Sequence, residues 1–540
     1  MTWLSSLNPT PAFPEYSGPY KVGSVDVEIP VSELDSPSPA PDSGIPTVAF
    51  RIFYPCEPDS SERPVRWIPN PQRGYVSAYA RFLGASNAFS HIFALFPQLL
   101  YYVTIPVHRN ARMLPPPTTN KRWPVLVFSH GLGGSRNAYS HITGSLASHG
   151  MIVIAPDHRD GSAPISYIRK TATTDAKTID YRTLPHSHTP EVWQQRDEQL
   201  SIRLWELGCI HDALLKIDQG TPPTNLDPNR SSSKNIDTTT LLSIFAHNLD
   251  IHTPGSITWA GHSFGGATML QFTKSVFYRP SAIEAEKASY TPLFTPSPSS
   301  PLISQITPST PVALLDMWTL PLVSPATRWL WERPMPCYAP SGPGGTVLLS
   351  VLSEAFVNWR SHLVETKRAL SANPAATTST QPASSKPGPR FFYPASSAHL
   401  SQSDFGILFP WATKKIFKAE EPDRTLKLNV RAILQVMREA GLEVAPTSSA
   451  DMEVEDAADE DADWEVILDP VGGVRGWIAL RTDFLSQEAE MRKEREGEME
   501  GEGEGVEVVV EGEALGQMQR EETRRKSQGG VVGMVEKHPN

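Results

Sequence analysis

The residues best suited to chemistry lie around one serine. Residues 261–265 read GHSFG, which fits the pattern G-x-S-x-G, and the apolar run 257–260 precedes them while helix-forming residues follow. A strand, a sharp turn and a helix in this order make a nucleophile elbow, whose glycines are needed because the strand and the helix approach too closely for a Cβ. The pattern predicts Ser263 as a nucleophile exposed at the top of a sheet, and the alternative is a chance match.

A second glycine-rich turn follows an apolar strand at 125–128. Residues 130–134 read HGLGG. In such a turn, backbone N–H groups face a developing oxyanion, and glycine lets the backbone itself approach the substrate. His130 precedes the serine in the chain, so we interpret it as a support for the turn and not as a catalytic base.

The other catalytic partners are expected in the chain order serine, acid, histidine. Asp316 follows the apolar strand 311–315, where an acid can hold an imidazole in the correct tautomer. Its alternative is an acid that caps a turn. His399 follows the strand-like residues 390–393 on a loop, whereas His362 lies inside a helical pattern. We predict Asp316 as the acid and His399 as the base, with His362 as the alternative base.

The surrounding pattern predicts an α/β fold. Residues 20–29 and 47–55 alternate as two antiparallel strands, and the later apolar strands are separated by helical segments such as 191–218. Strands that alternate with helices of this length specify a mostly parallel central sheet with helices on both faces.

Charge divides the chain into a body and a tail. Residues 451–540 carry 25 acidic and 10 basic side chains, a net −15, which leaves +4 for the rest of a chain whose total is −11. Acidic low-complexity runs are predicted to be disordered. We therefore divide the chain into an N-terminal extension (1–17), a catalytic domain (18–445) and an acidic tail (446–540) that activity does not require. Insertions are expected at about 221–240, 280–310 and 371–389.

Composition excludes several classes of protein. The near-neutral body gives no case for nucleic-acid binding. The cysteines, Cys56, Cys209 and Cys337, match neither a zinc pattern nor a disulfide framework, so a reducing compartment is the simpler interpretation. No secretory signal and no unbroken apolar span of membrane length are seen. We expect a cytoplasmic protein that can bind membranes peripherally.

Two apolar segments leave alternatives open. Residues 92–103 are rich in aromatic and aliphatic side chains, which fits either an amphipathic element that touches lipid or an ordinary buried helix pair. Residues 464–484 interrupt the acidic tail with apolar residues. They either dock on the body or bind a protein partner.

Four blocks of the chain carry a family resemblance. The runs VLVFSHGLGG, GHSFGGAT, ALLDMW and AHLSQSDF occur in this order, and they resemble the corresponding blocks of the platelet-activating factor acetylhydrolases, a calcium-independent group of α/β-hydrolases. The resemblance covers about residues 18–440. It implies an α/β-hydrolase fold and hydrolysis of an acetyl, short or oxidised acyl chain at the sn-2 position of a phospholipid.

The resemblance also implies roles for individual residues. Ser263 is the implied nucleophile, Asp316 the acid and His399 the base, while the amides of Leu132 and Phe264 form the oxyanion hole. No cofactor or metal is implied. The expected partner is a phospholipid at a membrane or lipoprotein-like interface. The family's interfacial helices correspond to the apolar segment near 75–105, which would contact this interface.

The chain departs from the family in three ways. The interval between serine and acid is enlarged, an insert precedes the histidine strand, and the signal peptide of the secreted members is absent. Two rival functions remain: a general serine carboxylesterase or lipase of the same fold, and a non-catalytic scaffold that uses the fold for binding.

Overall fold

The computed structural model gathers the apolar runs into one large sheet. It describes residues 12–41, 44–86, 90–91, 94–95, 99–229, 238–279, 281, 290–376, 385–447, 466–471 and 473–482. The described strands are β1 (Lys21–Pro30), β2 (Thr47–Cys56), β3 (His108–Arg109), β4 (Trp123–Ser129), β5 (Ile152–Pro156), β6 (Ile165–Ile168), β7 (Lys177–Asp180), β8 (Leu249–Asp250), β9 (Thr258–His262), β10 (Val312–Leu315), β11 (Leu348–Val351), β12 (Arg390–Pro394) and β13 (Trp477–Ala479).

The strand order confirms the predicted fold class. The large sheet runs β13-β12-β11-β10-β9-β4-β5-β2-β1-β3, with β8 beside β4, and β6 and β7 form a separate hairpin. The strands from β12 to β5 are all parallel, and β1 and β2 pair antiparallel as predicted. After β4 the chain extends the sheet on one side through β5 and later returns to add β9 on the other. Parallel sheets place functional sites at the carboxyl ends of strands at such a switch point.

Helices cover both faces of the sheet. In β4, Val125 and Val127 lie in one buried apolar cluster, whereas Leu126 and Phe128 lie in a second. This alternation follows from the two-residue period of a strand. The described α-helices are α1 (Gln72–Phe82), α2 (Ser140–Ser148), α3 (Pro190–Asp218), α4 (Thr238–Leu242), α5 (Phe264–Phe277), α6 (Leu302–Gln305), α7 (Arg328–Trp331), α8 (Glu354–Asn358), α9 (Arg360–Leu370), α10 (Asp404–Leu408), α11 (Pro410–Phe417) and α12 (Pro422–Glu439).

The C-terminal segment 466–482 docks on the body. Its strand β13 pairs antiparallel with β12, and Ile467, Leu468 and Trp477 are buried. The folded domain therefore continues past residue 445, the predicted end of the catalytic domain. The reason is that apolar side chains in an otherwise acidic tail become buried where β13 pairs with the edge strand β12. Parts of the predicted N-terminal extension, of the three insertions and of the acidic tail lie outside the described residues.

Part of the predicted insertion at about 221–240, which follows α3, supports strand β1. Asn229 Oδ1 accepts a hydrogen bond from the amide of Asp26 at 2.7 Å, and Asn225 Oδ1 accepts from the amide of Glu28 at 3.0 Å. These side chains satisfy backbone groups of β1 near the margin of the sheet, which would otherwise be open to another strand.

The apolar segment after residue 70 has both buried and exposed apolar side chains. Tyr75 and Val76 of α1 are buried, but Leu83, Leu95 and Tyr102 are 41%, 61% and 58% exposed. Residues 87–89, 92–93 and 96–98 of this segment lie outside the described residues. Among the helices that the structure describes, none has the length and apolar character needed to span a bilayer.

Candidate active site

Ser263 occupies the strained turn that the sequence predicts between β9 and α5. Its φ of 58° and ψ of −120° are unfavourable for a residue with a Cβ and are typical of a nucleophile elbow. A Cβ on Gly261 would lie 2.4 Å from the carbonyl oxygen of Gly265, and a Cβ on Gly265 would lie 2.0 Å from that of Ser129. Both glycines are therefore required by the close approach of strand and helix.

The serine is less accessible than the sequence predicts. Ser263 is only 3% exposed, so the expectation of an exposed serine is wrong for this structure. The cause is the neighbouring glycine turn, since a Cβ on Gly131 would come within 2.9 Å of the Ser263 Cβ.

The structure brings the predicted acid and base together. Asp316 follows β10 and is completely buried. Its Oδ2 lies 2.9 Å from Nδ1 of His399, and its Oδ1 accepts a hydrogen bond from the amide of Ser353 at 2.5 Å. His399 begins a 3₁₀ helix, His399–Gln402, just after β12. Because β9, β10, β11 and β12 are adjacent and parallel, their carboxyl ends deliver all three predicted side chains to one edge of the sheet.

Two flat side chains lie against the His399 ring. Phe356 stacks on it with ring centroids 4.6 Å apart and planes 4° apart, and the ring centroid of His262 lies 4.3 Å away. His262 directly precedes Ser263 in the chain. This stacking therefore keeps the imidazole beside the elbow.

His262 is anchored by a tyrosine hydroxyl. The hydroxyl of Tyr139 lies 2.8 Å from Nδ1 of His262 and accepts a hydrogen bond from the amide of Gly131 at 3.1 Å. Burial and then the nearby charge of His399 hold the pKa of His262 well below its ordinary value. His262 is thus neutral at physiological pH and does not repel a protonated His399.

The glycine turn presents an amide at the predicted position. The amide of Gly131 donates to Tyr139, that of Gly133 to the carbonyl of Ser162 at 2.8 Å, and that of Gly134 to the carbonyl of Gly131 at 3.2 Å. Between them, the amide of Leu132 donates to no atom of the residues that the structure describes.

The second predicted oxyanion donor lies at a helix start. Phe264 is the first residue of α5. The first amides of a helix have no acceptor within that helix. The amide of Phe264 is consequently available to an acceptor placed beside the elbow.

In the described residues, the hydrogen-bond partners of His130 and of the alternative base His362 are groups other than Asp316. Nε2 of His130 accepts a hydrogen bond from the amide of His158 at 3.2 Å, and Nδ1 of His130 lies 2.8 Å from the carbonyl oxygen of Gly131 within the glycine turn. His362 is buried on α9, where its Nε2 accepts from the amide of Thr319 at 3.3 Å. Burial is the main reason why the pKa of His130 falls to about 4 and that of His362 to about 3.

A buried set of serine, histidine and acid lies beneath the glycine turn, and the sequence analysis missed it. Oγ of Ser129 lies 2.9 Å from Nε2 of His158, and Nδ1 of His158 lies 2.7 Å from Oε2 of Glu206. Burial raises the pKa of Glu206 to about 8. All three side chains are buried, so they support the turn. In the sequence, the one feature that could have indicated this buried set is Glu206, an acidic residue among the leucines of α3.

His262, Asp316 and His399 lie close enough together to be considered as metal ligands, with ligand atoms within 4.8 Å of one another. The two histidine rings are tilted by 33° with centroids 4.3 Å apart. Both oxygens of Asp316 already accept hydrogen bonds, and Nδ1 of His262 lies 2.8 Å from the Tyr139 hydroxyl. Nδ1 of both histidines and the carboxylate of Asp316 therefore serve hydrogen bonds in this structure.

The family described as "Platelet-activating factor acetylhydrolase, isoform II" matches residues 6–285, which is just over half of the chain. The chain belongs to this family. The matched residues include Leu132, Ser263 and Phe264, whereas Asp316 and His399 lie beyond them. The assignment of Asp316 as the acid and His399 as the base therefore depends on their geometry and on the sequence blocks around them.

Two curated relatives show the extent of the similarity. A "Putative phospholipase A2" of Schizosaccharomyces pombe is 32% identical over 265 residues, 47% of this chain and 57% of the relative. A "Platelet-activating factor acetylhydrolase" of Bos taurus is 31% identical over 262 residues, 48% of this chain and 51% of the relative. The matched part thus spans about half the length of these relatives. A solved ferulic acid esterase from Streptomyces cinnamoneus aligns with 80% of this chain and 93% of its own, at 14% identity and a TM-score of 0.38, which is too weak to support an inference.

Proposed function

We propose that this chain is a serine-dependent, calcium-independent esterase that hydrolyses the sn-2 acetyl, short or oxidised acyl ester of phospholipids like platelet-activating factor. The observation that carries the proposal is the 2.9 Å contact between His399 Nδ1 and Asp316 Oδ2. An acid in this position holds the imidazole in the tautomer whose Nε2 accepts a proton, and it stabilises the imidazolium that forms.

The proposed mechanism is acyl transfer in two steps. His399 takes the proton of Ser263, whose Oγ attacks the ester carbonyl, while the amides of Leu132 and Phe264 bind the oxyanion. The lysophospholipid leaves with the proton from the imidazolium. A water molecule, activated by His399, then hydrolyses the acyl-enzyme. The mechanism needs no metal ion or cofactor.

The proposed place of action is a membrane or lipoprotein-like interface. Leu83, Leu95 and Tyr102 expose apolar side chains after α1, and exposed apolar side chains in an otherwise apolar segment support contact with lipid. We place the protein in the cytoplasm, bound peripherally to membranes, and propose that the acidic tail binds a protein partner.

The test is hydrolysis of phosphatidylcholines that differ only at sn-2, with acetyl, short oxidised and palmitoyl chains, in the presence of EGTA. We expect wild type to cleave the first two and not the third, and Ser263→Ala to lose more than about 10³-fold in kcat. The free lysophospholipid and the released acid are measured by mass spectrometry.

Other outcomes assign the other candidate functions. Turnover of aryl esters without any phospholipid would keep Ser263 as nucleophile and identify a general serine carboxylesterase. Absence of all turnover by correctly folded wild type would support the binding scaffold, and cleavage that survives Ser263→Ala would place the nucleophile elsewhere.

A further inference from the structure

One buried guanidinium lies between the two segments that supply the proposed oxyanion donors. It belongs to Arg203 of α3, whose side chain is 0% exposed and whose Nε lies 2.7 Å from Oδ2 of the equally buried Asp160. Burying an ion pair is costly even when its geometry is good. Such a pair is best explained by what its remaining hydrogen bonds hold in place.

The first group of contacts reaches both sides of Leu132. Nη1 of Arg203 donates to the carbonyl oxygen of His130 at 2.8 Å. Nη2 donates to Oγ of Ser162 at 2.5 Å, and the carbonyl of Ser162 accepts from the amide of Gly133 at 2.8 Å. The glycine turn is thus tied to Arg203 directly before Gly131 and, through Ser162, directly after Leu132.

The second group of contacts reaches the start of α5. The guanidinium carbon lies 4.3 Å from the ring centroid of Phe264, within the range of a cation–π interaction. Nη1 also donates to Oγ1 of Thr268 at 3.4 Å, one turn further along the helix. The residue whose amide is the second proposed donor is therefore packed against the same cation.

We infer that Arg203 is a positioning residue that fixes the amides of Leu132 and Phe264 relative to each other, so that both meet the same oxyanion. The inference rests on the proposed function. Oxyanion donors accelerate acyl transfer only when they are already aimed at the position that the charge will occupy. The planar fork of arginine can bind Asp160, the His130 carbonyl and Ser162 together, whereas the single ammonium of lysine cannot.

The test compares wild type with Arg203→Lys and Arg203→Met. Active sites are counted with a fluorophosphonate, and kcat and KM are measured on the substrate that wild type cleaves. A trifluoromethyl ketone, which forms an anionic tetrahedral adduct on serine, reports oxyanion binding separately. We expect Arg203→Met to lose about 100-fold in kcat per titrated site with little change in KM, Arg203→Lys to lose about 10-fold, and ketone affinity to fall by the same factors as kcat/KM.

Arg51→Met is the matched control. Arg51 is also buried and is paired with Asp26 at 2.8 Å, but in the β1–β2 pair. Its removal should lower Tm while kcat per titrated site and ketone affinity stay within about twofold of wild type. A merely structural Arg203 would give the same result.

Each remaining outcome has a definite meaning. Wild-type kcat per site in Arg203→Met, or unchanged ketone affinity alongside reduced kcat/KM, would overturn the inference. If Arg203→Met does not fold, Arg203→Lys decides by the same two measurements. Failure of the proposed function appears instead in proteins that keep Arg203, as turnover that survives Ser263→Ala or as no turnover by wild type, and it overturns both the function and the inference.

Discussion

At the scale of single residues, the orientation of His399 is set from three sides. Asp316 binds its Nδ1, Phe356 stacks on the ring, and the His262 ring centroid lies 4.3 Å from it. Together these contacts restrict the orientation of the ring. Since catalysis by an imidazole depends on its position to within a fraction of an ångström, the residues that fix His262 matter as much as those that touch His399.

Tyr139→Phe tests this support. The change leaves the Gly131 amide and Nδ1 of His262 without their shared hydroxyl, and a buried polar group that loses its partner costs about 1–3 kcal/mol. We expect kcat/KM to fall about tenfold, since about 1.4 kcal/mol is one factor of ten. The measurement is steady-state kinetics per titrated active site.

The control for that variant is Tyr54→Phe. Tyr54 is also buried, and its hydroxyl donates to the Ala111 carbonyl at 2.8 Å, away from the site. It should lose stability and keep kcat/KM. Equal kinetics in both variants would show that the Tyr139 hydroxyl does not position the site.

At the scale of elements, the C-terminal segment 466–482 supports the loop that carries His399. Besides the pairing of β13 with β12, the amide of Ala395 donates to the carbonyl of Gly476 at 2.7 Å, and Arg475 pairs with Glu421 at 2.9 Å. Ala395 directly follows β12, four residues before His399. An element outside the family match thus braces one end of the catalytic loop.

Truncation separates this segment from the rest of the tail. Ending the chain after residue 482 should leave activity and Tm unchanged. Ending it after residue 447 removes β13 and the buried Ile467 and Trp477, for a loss of roughly 3–5 kcal/mol after the entropy of ordering is subtracted. Urea unfolding measures the stability of each truncated chain, and kcat measures its activity.

Trp477→Ala in the full-length chain should reproduce part of the loss without shortening the protein. If the chain ending at 447 matched wild type in stability and kcat, the original boundary at 445 would stand, and the docking of β13 would be functionally irrelevant.

At the scale of the whole molecule, many histidines are buried and neutral. Burial is the largest cause of lowered pKa values at His130, His141, His149, His158, His211, His262 and His362. An unfolded histidine titrates near 6.5. Acid therefore favours unfolding at each of these sites, because the unfolded chain binds protons that the folded chain excludes. Buried Glu206, whose pKa is raised to about 8, acts in the opposite direction.

His211 offers a single-site test of this pH dependence. Burial, followed by the charge of His252, lowers its pKa to about 4. Its contribution to stability is therefore complete above pH 6.5 and decreases as the pH falls toward 4, by about 1.4 kcal/mol per pH unit. We expect His211→Phe to remove this contribution.

The measurement is urea unfolding of both proteins at pH 7.5, 6.0 and 5.0. Subtracting the free energy of unfolding of His211→Phe from that of wild type at each pH cancels the contributions of the other titrating groups. This difference should shift by about 1.2 kcal/mol between pH 6.0 and 5.0 in favour of the variant. Parallel pH profiles would show that His211 is not buried in its neutral form.

The sequence by itself determined the features that depend on neighbouring residues. The strand, turn and helix around Ser263 are largely local, because a Cβ on Gly261 would clash with the backbone of Gly265, although Gly265 is required by the distant Ser129 on the neighbouring strand. The alternation of strands and helices along the chain predicted a mostly parallel sheet that is covered by helices on both faces. The chain order of serine, acid and histidine placed both partners after Ser263. Position after a strand then favoured Asp316 as the acid and His399 over His362, which lies in a helical pattern, since strand ends in a parallel sheet meet at one edge.

Tertiary structure alone decided the contacts between distant segments. Ser401 and Asp404 suggest a local helix start, and α10 does begin at Asp404. The carboxylate of Asp404 nevertheless serves another helix, since its Oδ1 accepts from the amide of His141 at 2.9 Å and its Oδ2 from that of Ser140 at 2.9 Å. Asp404 therefore caps α2. Arg203, Tyr139 and β13 are similar cases. A buried polar group binds whichever partner the fold brings within reach, and no pattern of neighbouring residues records which distant group that will be.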